Sequence, residues 1–420
     1  MNGCGIDFGT SNSGVCVPAA GTVRLVPLED GAADMPTAVF FATDEPQATF
    51  YGRAAVAEYL DGTPGRLMRS LKSLLGSSLI EETTAIGDRN LPYTDIVTLY
   101  LRTLRARTGD DIGAAPDAVV LGRPVRFVDD DAQRDRVAQG TLERCARAAG
   151  FRHVEFQLEP IAAALDFERT IEREEVVLVI DVGGGTADFS VIRLAPGRHT
   201  RADRTGDVLA NDGVHIAGTD FDTRLNMAWV MPMLGYGLIG PKGRPVPSPV
   251  YFDLSTWHQV NFLYTPKFSG TLRELRLFFD DPLPYERLCH VIDHRLGHEL
   301  LGRTEQAKIE LSDADAATVD LYSIEPGLAV AVHRADLLER LDDLLARLVR
   351  MGVATAKAAG VAPDDVDTLY FTGGSSGMTA LRTAFGAAFP HSRVAVGDLF
   401  GSVASGLGID ALRRFGPRAR

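Results

Sequence analysis

The chain has 420 residues, and 43 basic against 56 acidic side chains leave a formal net charge of −13. At roughly 150 residues per domain that length gives two to three domains, and a composition 45% hydrophobic and 24% charged excludes wholesale disorder. The acidic balance, with no block of basic residues, also excludes a dedicated nucleic-acid binder, which needs a basic face to displace counterions.

The N-terminus, MNGCGIDFGT, has no basic region, and Asp7 interrupts any signal-peptide core. Residues 5–17, GIDFGTSNSGVCV, read as a strand ending at Asp7, a glycine turn and a returning strand through Val15 and Val17. Residues 36–56 read as short strands and turns, and Leu67–Leu79 and Ile96–Ala106 as helices. Then come a strand at Ala118–Leu121, a helix over Asp131–Ala149, and a strand at Val154–Gln157 that runs into a helix at Glu159-Pro160. VVLVIDVGGGTADFSVIRL, residues 176–194, repeats the opening order: buried strand, Asp181, three glycines, returning strand. The two aspartates are 181 − 7 = 174 residues apart, the size of one domain, so the chain reads as two related α/β lobes.

Segment 231–270 is rich in Pro and Gly, low in charge, and aromatic (Tyr236, Tyr251, Phe252, Trp257, Phe262, Tyr264, Phe268), with Trp229 just before it. It reads first as packing on the second lobe, with docking of a protein partner as the sharper alternative. The longest uncharged stretch, Leu225 to Pro241, is 17 residues broken by Pro232 and three glycines; a spanning helix needs about 20 apolar residues, so no membrane segment is expected. Helical periodicity returns over Leu283–Leu311 and Arg334–Ala359. The first of these would set His290, His294 and His298 on one face as an exposed polar stripe. Three in line cannot reach one metal ion, although a pair with an outside acid could. A strand at Thr368–Phe371 meets Gly373-Gly374, and helices cover Thr379–Phe389 and the stretch from Gly401. Arg413, Arg414, Arg418 and Arg420 read as a solvated tail. Cys4, Cys16, Cys145 and Cys289 form no CxxC pair and read as small buried hydrophobes in a reducing compartment; the cytoplasm is the expected location.

Two strand ends that carry Asp, glycines and hydroxyl residues have a shared chemical logic. Glycines let backbone N–H groups approach phosphate oxygens, and Thr or Ser hydroxyls add donors. An Asp beside phosphate is tolerated when a hydrated divalent cation lies between them, and Mg²⁺ suits that role. Facing loops would clamp a nucleotide tail. FTGGSSG, residues 371–377, is a third glycine turn between strand and helix. No GxxxxGK[ST] loop occurs, which disfavours a P-loop enzyme.

The motifs GIDFGTSNSG, GRPVRF, LEPIAAALDF, VIDVGGGTADFS, GTDFD, EQAKIELS, YFTGGSSGM and SVASGLG stand in the order found in DnaK-type heat-shock chaperones, of the actin-like ATPase superfamily, and the chain resembles that family over most of residues 3–412. It looks most like the short bacterial YegD-type homologues, which lack the substrate-binding half. The resemblance implies an α/β fold of two ribonuclease-H-like lobes with inserted subdomains around a nucleotide cleft. Residues 1–172 would form lobe I (subdomain at about 32–98) and 173–412 lobe II (subdomain at about 217–335), with a C-terminal helix returning towards lobe I and a tail at 413–420. It implies ATP or ADP with Mg²⁺ as ligands. Asp7 and Asp181 would hold the hydrated metal, and Asp181, Asp188, Thr186, Lys72 and Glu159 would serve catalysis. Gly9, Thr10, Ser11 and Asn12 match the first phosphate loop, and Gly183, Gly184, Gly185 and Thr186 the second. Gly218, Glu305, Lys308 and Ser312 match positions that hold the nucleoside, as do Gly373, Gly374 and Ser375. Only five of the 43 basic residues are lysines, and two of these, Lys72 and Lys308, fall on family lysine positions.

The implied function is slow hydrolysis of Mg·ATP that opens and closes the lobes, a chaperone-like switch. The alternatives are a nucleotide-sensing scaffold with negligible turnover and, further off, a small-molecule kinase of the same superfamily, for which no motif singles out an acceptor base. Three departures qualify the resemblance. Ile309 and Gly377 replace arginines that sandwich adenine, forfeiting roughly 1 kcal/mol of stacking each. Thr219 replaces a usual acid. The chain ends ALRRFGPRAR where the chaperones continue into a peptide-binding domain, so client cycling by that route is not expected of this chain alone.

Overall fold

The computed structural model describes residues 2–19, 21–44, 48–129, 131–198, 204–399 and 401–416. The chain packs as two compact units: Met1–Ala217 with Ala346–Gly377 and Leu381–Arg420, and Gly218–Leu345 with Met378–Ala380.

The first unit contains two mixed sheets of one design. In the first, Gly3–Phe8 pairs antiparallel with Asn12–Ala19, which pairs antiparallel with Thr22–Leu25; on its other side Gly3–Phe8 runs parallel to Ala118–Arg123, and that strand parallel to His153–Leu158. In the second, Glu175–Val182, Ala187–Leu194 and Val208–Val214 make the antiparallel meander. Thr368–Thr372 and Arg393–Val396 add the two parallel strands. The helix Ala132–Ala148 joins the parallel pair of the first sheet, and Thr379–Ala388 lies between the parallel pair of the second. The internal repeat is thus a repeat of topology as well as of sequence.

Each sheet is followed by a helix, Glu159–Phe167 after the first and Ser402–Phe415 after the second, and the two helices pack on each other. A Cβ at Gly406 would fall well inside contact distance of the Ala162 carbonyl oxygen, so this crossing depends on the missing side chain. Gly5 meets the backbone of Leu407 and Gly408, which seats Ser402–Phe415 against the first sheet. Val120, Ala162, Ala163, Val177, Val179, Val403 and Leu407 share one core, and Phe167 stacks on Tyr370 with ring centroids 4.4 Å apart.

Several expected elements differ. Leu67–Leu79 is not a helix: Gly65–Arg69 is a strand paired with Ala38–Ala42, Ser70 takes a left-handed conformation (φ 56°), and only Leu71–Leu74 is helical. The apolar spacing there serves two short elements packed on one core. Residues 36–56 include the start of the helix Gly52–Leu60. The expected helix Leu283–Leu311 is two, Pro282–Asp293 and Gly297–Glu310, broken where Arg295 turns left-handed (φ 57°). His298 therefore leaves the supposed polar stripe. It is buried and stacked on Trp257, its Nε2 3.0 Å from the Trp257 carbonyl oxygen, while His290 faces the Ser323 carbonyl at 3.1 Å. Arg413 and Arg414 belong to the last helix rather than to a tail: Arg413 lies 3.7 Å from Asp410, and Arg414 bridges Asp410 and Glu155 at 2.8 and 3.1 Å. Arg418 and Arg420 lie outside the described residues.

In the second unit Tyr251 and Trp257 of the aromatic segment are buried, and Tyr236, Tyr264 and Phe268 are half-buried. Tyr251 is buried with its hydroxyl donating to the Leu234 carbonyl at 3.1 Å, and Trp257 packs with Val260, Tyr264 and Leu301. Leu238, Ile239, Phe252 and Phe262 are exposed. Among the described residues no helix is long and apolar enough to cross a membrane.

Candidate functional site

The repeat places an aspartate at the end of the central strand of each sheet. Asp181 stands directly opposite Asp188 on the neighbouring antiparallel strand, and Asp7 stands opposite Gly14. A like-charged pair directly across a ladder is unfavourable, and burial sharpens the cost, since Asp181 and Asp188 are both buried. Glu159 joins them as the first residue of its helix, at the end of the His153–Leu158 strand.

Lys72 is the counter-ion. The turn at Ser70 delivers it to a buried position where Nζ donates to Glu159 Oε1 at 2.5 Å. Burial alone would lower its pKa, but Glu159 and Asp7, then Asp188, outweigh burial and hold the ammonium above the usual lysine range. One ammonium does not balance four carboxylates. Burial pushes the Asp7 carboxyl up to about 7, with Glu159 adding and Lys72 opposing. Burial also raises Asp188 to about 7, again with Glu159 adding, against the Val125 N–H donated to Asp188 Oδ1 at 2.7 Å, Lys72 and Thr186. Asp181, pushed by burial and then by Glu159, Asp188 and Asp7, lies well above the carboxylate range. Burial and mutual repulsion thus resist full ionisation of the cluster, and a cation would favour the ionised forms.

The two glycine loops meet face to face. A Cβ on Gly184 would strike Ser11 Oγ, and one on Gly185 would stand 2.9 Å from Thr10 Oγ1 and 3.4 Å from Ser73 Oγ. The first loop is braced by Thr37, whose N–H donates to the Ser11 carbonyl and whose hydroxyl donates to the Gly9 carbonyl, both at 2.8 Å. The second is closed by the Gly183 N–H on the Thr186 carbonyl at 3.0 Å and tied to the third turn by the Ser375 hydroxyl on the Gly183 carbonyl at 2.8 Å. Gly373 has φ +81°, and a side chain there would stand 2.5 Å from Asp181 Oδ1. Left-handed backbone and close approach both require glycine.

The structure therefore gathers Asp7, Thr10, Ser11, Lys72, Glu159, Asp181, Gly184, Gly185, Asp188, Gly373 and Ser375 in the first unit. Gly9 and Asn12 flank the first loop, and Gly374 is exposed on the third turn. Gly218, Glu305, Lys308 and Ser312 belong to the second unit. There the buried Lys308 ammonium lies 2.8 Å from Asp222 Oδ1 and 3.3 Å from the Gly218 carbonyl oxygen, while Glu305 is half-buried and Ser312 lies just past the helix end. Ile309 is 54% exposed. Thr37, Val125 and Asp129 with His215 escaped sequence reasoning. A lone Thr and a backbone N–H leave no spacing signal, and Asp129 and His215 meet only through folding, as do Arg126 and Asp212 at 3.0 Å.

A family model described as Hsp70 protein matches residues 3–231, more than half of the chain. The chain belongs to the Hsp70 family. Its fold is the actin-like ATPase fold of the Hsp70 nucleotide-binding domain. Among Hsp70-family relatives it is 28% identical to the chaperone protein HscA of Pectobacterium atrosepticum and 27% identical to the HscA of Salmonella typhimurium. Each match covers 97% of this chain and 57% of the relative. The chain thus spans somewhat more than half the length of the curated relatives it matches.

Proposed function

We propose that the chain is a Mg-dependent ATP-binding module that hydrolyses ATP slowly and converts the difference between ATP and ADP into opening and closing of two lobes, residues 1–172 and 173–412. The observation that carries this reading is the facing of the two Asp-glycine loops around Lys72 and Glu159. The described residues include no group of three His, Cys, Asp or Glu side chains near enough to hold a bare metal ion, and that fits a magnesium ion that keeps its water shell between Asp7, Asp181 and phosphate. When bound, the ion would neutralise phosphate charge and relieve the crowding of carboxylates.

The chain's own groups supply the rest. Thr10, Ser11, Gly184, Gly185 and Thr186 would cradle the β- and γ-phosphates. Lys72 would shift part of its attraction from Glu159 to the terminal phosphate, and Glu159 and Asp188 would orient the attacking water and hold its proton. No covalent intermediate is needed. The HscA relatives are named as chaperones, and that supports a chaperone-like use of the cycle here, in the cytoplasm, with a protein partner reading the lobe state. Exposed Leu238, Ile239, Phe252 and Phe262 support the segment 229–268 as the docking region.

Isothermal titration with ATP and with ADP in Mg²⁺ tests the reading, and no heat from either nucleotide would refute it. Single-turnover hydrolysis of labelled ATP separates an ATPase from a nucleotide-sensing scaffold.

A further inference from the structure

The carbonyls of Gly9 and Ser11, on either side of Thr10 in the first glycine loop, are both held by Thr37, which follows the strand Asp34–Pro36. Thr37 is buried, and so are two hydroxyls behind it: Ser13 on the returning strand Asn12–Ala19, and Tyr100 on the helix Tyr93–Ile112. Tyr100 packs on Phe8, with ring centroids 5.9 Å apart.

Counting hydrogens fixes the direction of each bond. A carbonyl only accepts, so the single hydroxyl hydrogen of Thr37 goes to the Gly9 oxygen at 2.8 Å. Ser13 Oγ, 2.8 Å from Thr37 Oγ1, is then the donor of that pair. Tyr100 donates to the Pro36 carbonyl at 3.0 Å, with the Met35 carbonyl at 3.3 Å, and burial holds its pKa above the usual tyrosine range, so the phenol keeps its hydrogen. The Pro36 carbonyl shares a peptide with the Thr37 N–H, which donates to the Ser11 carbonyl at 2.8 Å. Two relays thus converge on Thr37 with every hydrogen directed at the loop. One runs from Ser13 through the Thr37 hydroxyl to Gly9, the other from Tyr100 through the Pro36 peptide to Ser11.

A trans peptide is planar with C=O and N–H antiparallel, so the Gly9 carbonyl held by Thr37 turns the Thr10 N–H away from Thr37. Hydrogen bonds in series polarise one another, and the same contact strengthens that N–H as a donor. Thr10 lines the cavity shared with Lys72, Gly185 and Thr186. Lys72 stands among four carboxylates, so a phosphate brought here leans on neutral donors, whose aim and strength decide its affinity.

We propose that Thr37 is a positioning residue for phosphate binding, supported by Ser13 and Tyr100: it fixes and polarises the peptide between Gly9 and Thr10, so that the Thr10 N–H is a preformed donor to the β-phosphate of a bound nucleotide. The proposal rests on the ATP-binding reading above and extends it to three buried residues behind the loop.

The test is calorimetry of Mg·ADP with the full chain, joined by phosphorus NMR of the bound nucleotide and by melting curves taken without it. Thr37→Val keeps the shape and the backbone N–H but removes the hydroxyl; it is expected to weaken Mg·ADP about tenfold and to move the β-phosphorus resonance relative to the α. Thr37→Ser keeps the hydroxyl and should bind within about threefold of wild type. Wild-type affinity in Thr37→Val, or an unmoved β-phosphorus resonance, overturns the proposal whatever the melting temperature, and leaves nucleotide binding standing. Thr37→Ser as weak as Thr37→Val overturns it as well, since the hydroxyl is then not what matters. Should Thr37→Val fail to fold, Ser13→Ala and Tyr100→Phe decide: each is expected to weaken Mg·ADP about threefold, and wild-type affinity in both overturns the proposal. No heat from ADP or ATP in the wild-type chain overturns the nucleotide reading and this proposal with it.

Discussion

Replacing Asp188 by Asn should stabilise the nucleotide-free protein while abolishing its chemistry. Asp188 is buried directly opposite Asp181, and its carboxyl is raised from 3.8 to about 7, chiefly by burial and then by Glu159. Below the unfolded value both states hold the proton and the group costs nothing. As pH rises from about 4 to 7 the unfolded chain ionises and the native chain does not, so stability is lost across that window and levels off above it. With 1.36 kcal/mol per unit, the loss relative to a neutral group is about 2 kcal/mol at pH 5.5 and about 4 kcal/mol at pH 8. The figures are upper limits, because side-chain relaxation and water absorb part of the cost. Asn keeps the shape and can still accept the Val125 N–H. Urea titrations of wild type and Asp188→Asn at both pH values, without nucleotide or divalent cation, measure the difference. A gain that grows with pH agrees with the reasoning; a variant less stable than wild type at both pH values, or a gain equal at the two, refutes it.

Lys72→Ala should lower single-turnover hydrolysis at least 100-fold by removing the one ammonium from the carboxylate cluster, and equal rates would show that Lys72 plays no part. Gly185→Val should weaken ADP binding at least tenfold in calorimetry, since the side chain would enter the space of Thr10 and Ser73; unchanged affinity would mean that the loops do not cradle phosphate. Chelating Mg²⁺ should weaken ADP binding by a similar factor, more so at pH 8 than at pH 6, because ionised Asp7 and Asp181 gain most from a cation. Gly406→Ala should cost about 1–3 kcal/mol in urea unfolding through overpacking against Ala162, and a neutral result would show that the helix crossing can loosen freely.

The site's skeleton was legible because its signals are local: an Asp at a strand end followed at once by glycines and hydroxyls, given twice. The helix at Glu159 followed from the Pro behind it, whereas the order of strands within each sheet was not read from the sequence. Leu67–Leu79 misled because apolar residues at helical spacing also suit a strand and one helical turn on a shared core, with the break at Ser70 hidden in an unremarkable residue type. The histidines misled in the same way, since nothing in CHVIDHRLGHELL announces a left-handed Arg295. Partners joined across long separations, such as Thr37 with Gly9 and Asp129 with His215, have no sequence signature at all.

The helix Ser402–Phe415 belongs against Gly5 and Cys16, about 400 residues earlier in the chain. A ribosome that has released the first sheet has not yet made the element that covers it, and the helix after that sheet, Glu159–Phe167, has its partner at Gly406. The core formed by Cys4 to Phe151 closes within the first repeat, but the core that joins Val120 and Ala162 to Val177, Val403 and Leu407 cannot close until the second has emerged. One apolar face of the first sheet therefore stays open until then, so this molecule is expected to depend on protection during its own folding.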